Sequence, residues 1–109
     1  MSNTQNKAHR MSEKEWQKRV LRYAVWGKWE WQHTFDSRFG PRGFPDLILI
    51  RAPELIAAEL KTDRGSLSEA QVWWLEALHD CGIEATVWKP RDEQLVKDRL
   101  LRHPVMEQP

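Results

Sequence analysis

Residues 46–61 read Asp-Leu-Ile-Leu-Ile-Arg-Ala-Pro-Glu-Leu-Ile-Ala-Ala-Glu-Leu-Lys, and their pattern decides the fold. The run Leu47-Ile48-Leu49-Ile50 is continuously apolar, as in strands buried on both faces of a central sheet, so Asp46–Arg51 is expected to be such a strand. Ala52-Pro53-Glu54 turns the chain, and Leu55–Lys61 forms a second strand that begins apolar and ends in two charges. Pairing the strands about that turn sets Ile50 opposite Leu55, Ile48 opposite Ala57 and Asp46 opposite Glu59. Cross-strand neighbours have β-carbons about 5 Å apart, and the strand period of two brings Lys61 to the same face. Three ionisable side chains thus converge at one end of a buried sheet.

Upstream, Ser12 and Glu15 have capping-box spacing, and Trp16, Val20, Leu21, Tyr23 and Ala24 follow at helical spacing, so a helix is expected from Ser12 to Gly27. Glu30–Phe35 alternates weakly and is expected to be a strand, while Gly40, Pro41 and Gly43 make Asp36–Phe44 a loop. Downstream, Ser68 caps a second helix that reaches Cys81, with Gly82 as a left-handed terminator. Ala85–Trp88 is a further strand, and Pro90 separates it from a last helix carrying Leu95, Val96, Leu100 and Leu101. The order is αβββαβα, an α/β chain with a mixed central sheet flanked by helices, because strand, helix and strand over residues 55–88 imply a parallel crossover. Residues 1–10 and 104–109 are polar tails without period, leaving residues 11–103 as one domain.

The 109 residues carry a formal net charge of +1, but residues 1–45 hold nine Lys and Arg against four acids, and the remainder eight against twelve. A basic half facing an acidic half suits a protein that meets a polyanion and gathers carboxylates at a site. Cys81 is the only cysteine, so an intrachain disulfide and a cysteine-based zinc cluster within the chain are excluded, and a reducing, cytoplasmic setting is expected. His9, His33, His79 and His103 lack metal-ligand spacing. The first residues, MSNTQNKAHR, have no apolar core and no long apolar run occurs elsewhere, so neither a secretory leader nor a membrane-spanning helix is expected.

Two like charges at neighbouring positions repel unless something neutralises them. A hard divalent cation, Mg²⁺ or Mn²⁺, held by Asp46, Glu59 and the backbone carbonyl of Leu60 would do so, with Lys61 orienting a water or a phosphate. That set suits phosphodiester hydrolysis. From these residues alone, a purely structural ion cluster at a strand end remains an equal reading.

Gly43-Phe44-Pro45-Asp46, then Ala58-Glu59-Leu60-Lys61, then Leu67-Ser68-Glu69-Ala70-Gln71, resembles the PD-(D/E)XK nuclease pattern, in particular the VRR-NUC family and its short phage-type members. The Pro-Asp dipeptide and the Glu-x-Lys motif are weak alone. Their 13-residue spacing on two expected strands, followed by a glutamine that opens a helix, is far more specific. The resemblance runs from Ser12 to Pro90 and implies a restriction-endonuclease-like fold. It implies Asp46 and Glu59 as metal ligands and Lys61 as catalytic lysine, with Glu15 as a further acid from the first helix and Gln71 as the glutamine after the lysine motif. Ser12-x-x-Glu15 and Ser68-x-x-Gln71 are also capping boxes, so both side chains have a structural alternative. Arg38, Arg42 and Arg64 lie in loops beside the site and are candidates for holding DNA phosphates.

The activity implied is metal-dependent, structure-selective DNA cleavage like that of a Holliday junction resolvase, by a homodimer that meets the two strands of a four-way junction. A nicking, flap or restriction-type endonuclease is the alternative, as is a DNA-binding module without activity. Trp16, Trp73, Trp74 and Trp88 are expected to pack, whereas Trp26, Trp29 and Trp31 are left between base stacking and a subunit interface.

Overall fold

Ser12 starts the first helix by a reciprocal cap: its hydroxyl accepts from the Glu15 amide (3.1 Å), and the Glu15 carboxylate accepts from the Ser12 amide (2.9 Å). The helix so started, α1, spans Glu13–Trp26 and buries Trp16, Val20 and Ala24. It ends at Gly27, as expected, but not through a left-handed glycine: Gly27 has φ −83° and Lys28 takes the positive value, 67°. Gly27 is needed for proximity, since a β-carbon there would lie 2.0 Å from the Leu100 carbonyl oxygen. The computed structural model describes residues 10–34 and 42–104.

Four strands follow the expected order: β1 (Glu30–His33), β2 (Leu47–Arg51), β3 (Glu54–Leu60) and, after helix α2 (Glu69–Asp80), β4 (Glu84–Trp88). A 3₁₀ turn at Pro90–Asp92, absent from the expectation, leads into α3 (Glu93–Leu101). The sheet order is β1-β2-β3-β4, with the first two pairs antiparallel and β3–β4 parallel, so the mixed sheet is borne out. Ile50 faces Leu55 and Ile48 faces Ala57, the expected register. β2 opens at Leu47 rather than Asp46, because the Leu60 amide donates to the Asp46 carboxylate (3.0 Å) at the strand end. β1 ends at His33; Phe35, placed in it by the alternation, lies outside the described residues.

Alternation sends Leu47, Leu49, Ile56, Ala58 and Leu60 to one face, where they meet Trp16, Val20, Ala24, Val96 and Leu100 in the core under α1 and α3. Among the described residues the other face is covered by α2 alone, which packs on β4 and has no fully buried residue. Burial of β2 on both faces therefore fails: Ile50 is 42% exposed and its β3 neighbour Leu55 36%, because a single crossover helix cannot reach across the sheet. Trp29 is a core residue, its indole N–H donating to the Leu100 carbonyl (2.9 Å), while Trp73, expected to pack, is 61% exposed. Among the described residues no helix is long and apolar enough to cross a membrane.

Candidate active site

The carbonyl of Trp88 gathers the elements of the site. It accepts from the indole N–H of Trp16 (2.9 Å) and from the backbone N–H of Lys61 (3.1 Å), so one oxygen joins the first helix to the charged end of β3. On the other side, Thr34 donates its amide to the Asp46 carbonyl (2.8 Å) and its hydroxyl to the Pro45 carbonyl. The backbone carrying Asp46 is thereby held on one side by Thr34, and its Oδ2 is held by Leu60 on the other.

The approach to Asp46 depends on Gly43. Its φ is +93°, and a β-carbon would come within 2.6 Å of the Ala70 backbone, so the loop can touch the first turn of α2 only through a glycine. Trp74 secures the contact by donating to the Arg42 carbonyl (3.0 Å) and setting its ring edge-on to Phe44, centroids 5.2 Å apart. Neither Gly43 nor Trp74 was assigned a site role from the sequence. The glycine is legible in the sequence as a loop marker and as the first residue of the Gly43–Asp46 motif, with no contact attached to it, and nothing local in Trp74 reports its reach to residue 42.

Glu59 is only 2% exposed. Its Oε2 accepts from the Gln71 amide (3.0 Å) and lies 3.9 Å from Lys61 Nζ, while its Oε1 is buried with no donor. Burial pushes the Glu59 carboxyl up to about 8, and the adjacent Asp46 charge adds to it against the opposing pull of Lys61. Gln71 does two jobs: its Oε1 accepts from the Ser68 amide (2.9 Å) to close the capping box, and its Nε2 holds Glu59. A glutamate would retain the first contact and lose the second, so one side chain both closes the cap and holds Glu59.

Asp46, Glu59 and Lys61 are thus brought together with Gln71 behind them. Glu15 closes its own capping box, and among the described residues no group of three or more acidic, histidine or cysteine side chains is placed to hold a metal. Two facing carboxylates, one with a donorless buried oxygen, and a neighbouring backbone carbonyl on Leu60 are a hard-oxygen set that fits a cation keeping several of its own waters, as Mg²⁺ does. Arg42 and Arg64 are exposed in the loops before and after the site, and Arg38 lies outside the described residues.

A family model described as the VRR-NUC domain matches residues 3–92. A solved structure described as a "VRR_NUC domain protein" is similar in fold, with TM-score 0.64 and 24% identity over 84% of this chain and 91% of that chain. No curated protein sequence gives a match.

Proposed function

The chain belongs to the VRR-NUC family, a nuclease-type domain, and from that premise we propose that it is a Mg²⁺- or Mn²⁺-dependent DNA endonuclease acting at branched structures, first among them a four-way junction. The observation that carries the reading is Glu59, a buried carboxylate set against another carboxylate with one oxygen lacking any donor. A fold gains nothing from that arrangement until a cation enters. Asp46, Glu59 and the Leu60 carbonyl would hold it, and when bound it supplies charge stabilisation to the phosphate oxygens. Lys61, fixed through its backbone to Trp88, offers its ammonium to the scissile phosphate or the attacking water. Gln71 orients Glu59. Glu15 is proposed as an additional acid from the first turn of α1.

Symmetric cutting of a junction needs two sites, hence a homodimer, and exposed apolar residues such as Trp26 and Trp73 provide surface for one. The test is incubation of the purified protein with four-way junction, flap, nicked and linear duplex DNA in Mg²⁺, Mn²⁺ or chelator, with the mass measured by sedimentation. Paired cuts in junction DNA that need metal, made by a dimer, are expected. A monomer that cuts flaps or nicks duplex overturns the junction reading. A folded protein that binds DNA and cuts none of it with either metal overturns the enzyme reading.

A further inference from the structure

We infer that a groove beside the site holds one unpaired nucleotide next to the scissile phosphate, so that the preferred strand leaves its duplex at the cut; the inference rests on the nuclease reading. The groove, a cavity of about 640 Å³, runs between the segment entering α1, the turn that follows Lys61, and Pro90. That volume falls in the roughly 300–1,000 Å³ range of sites for small ligands. It opens where Lys61 ends: residues 62–65 form a turn closed by the Gly65 amide on the Thr62 carbonyl (3.0 Å). A β-carbon on Gly65 would come within 3.3 Å of Lys61 Cδ, so the turn lies directly against the lysine stem.

The charges of the groove select an anion. Arg10 and Arg64 are exposed on its rim, and among the described residues neither is paired with a carboxylate. Asp63 is the one acid among the described residues of the lining, and it is occupied: Oδ1 accepts from the Arg91 amide (2.9 Å), its carbonyl accepts from the Arg91 guanidinium, and Arg91 Nε stands 3.5 Å from the carboxylate. Beside Asp63 the lining holds two guanidinium groups, the hydroxyls of Ser12 and Thr62, and the apolar Met11 and Pro90. Guanidinium forks match phosphate oxygens, and an apolar floor takes a sugar or a base face. A base still paired in a duplex presents no free face to that floor.

The test measures binding apart from cutting, with the full-length protein in chelator. Labelled dT4 is titrated against wild type, Arg10→Ala, Arg64→Ala, the double variant and a charge-matched control, Lys97→Ala on the exposed side of α3, while the Met11 methyl resonance is followed. The double variant is expected to lose at least tenfold in affinity with the control unchanged. Its log-log salt slope should fall by about 0.7 for each phosphate that the protein no longer neutralises. The Met11 methyl should shift with dT4 and not with blunt duplex. Wild type that fails to bind dT4, a double variant that binds it equally, or an unmoved Met11 signal at saturation each overturns the groove. Arginine-dependent dT4 binding by a protein that cleaves nothing would uphold the groove and sink the nuclease reading, whereas cleavage with arginine-independent binding would do the reverse.

Discussion

β3 buries a glutamate at each end, and the two are treated oppositely. Glu54, 9% exposed, lies 3.0 Å from Arg51 Nη2, 2.9 Å from Arg99 Nη1 and 4.0 Å from Arg102 Nη2. The guanidiniums of Arg51 and Arg99 also lie over the Trp29 ring, and Arg51 donates to the Gly27 carbonyl (2.8 Å), so this charge cluster ties the start of β3 to the ends of α1 and α3. Glu59, 2% exposed, has one lysine at 3.9 Å, one amide donor and an aspartate. A buried carboxylate among three guanidiniums holds a fold together; one facing another carboxylate weakens the fold until a ligand arrives. Partners, not burial, separate the charge that ties the fold together from the one proposed to act in cleavage.

The largest expected effect is on cleavage. Glu59→Gln should slow it by roughly 10²–10³-fold or more, as loss of a group acting on transition-state charge does. In chelator its melting temperature should equal or exceed that of wild type, because an acid crowded by an acid has been removed. Retained cleavage with a lowered melting temperature would erase the distinction between the two glutamates. Glu54→Ala is the mirror image. It leaves buried guanidinium charge uncompensated and should cost about 3–5 kcal/mol in denaturant titration. Below its melting range, each folded molecule should cleave at the wild-type rate.

Gln71→Glu sharpens the comparison at the site itself. The cap survives, the donor to Glu59 goes, and a further carboxylate is set against Glu59. A loss of about 1–3 kcal/mol in chelator is expected, with part of it recovered in Mg²⁺. Stability indistinguishable from wild type would show that Gln71 is only a cap.

Titration gives a smaller signal. With Glu59 raised from an ordinary 4.5 to about 8, the folded protein retains a proton that the unfolded chain has released across that window. Stability in chelator should therefore be full below pH 4.5, fall as pH rises towards 8, and level off above. Calorimetry should show this slope in wild type and its loss in Glu59→Gln, and Mg²⁺ should raise the melting temperature more near pH 8 than in mild acid. A flat wild-type profile would remove the carboxylate conflict. The smallest change in stability is expected for Glu15→Gln, which preserves the capping box and should cost less than ~1 kcal/mol. Its cleavage should slow about tenfold at low metal, as loss of an outer ligand-supporting group does. Wild-type cleavage would confine Glu15 to the cap.

Local pattern determined much of this molecule from the sequence. The apolar run of β2, the turn at residues 51–54 and the alternation of β3 were enough to set Ile50 opposite Leu55 and Ile48 opposite Ala57, and so to bring Asp46 beside Glu59 just past the paired residues, because side-chain direction in a strand follows from its period. The caps at Ser12 and Ser68 were legible for the same reason: their partners lie three residues away. What depended on distant parts of the chain was decided only by the tertiary structure. Trp29 became core because Leu100 and two arginines come to it from other elements, and Ile50 stayed exposed because α2 settled over β4. Glu54 and Glu59 look alike as glutamates in a strand. Arg99 and Arg102 come to Glu54 from α3 and its end, Gln71 reaches Glu59 from α2, and the charge balance that separates them is a sum over neighbours that exists only once the chain is folded.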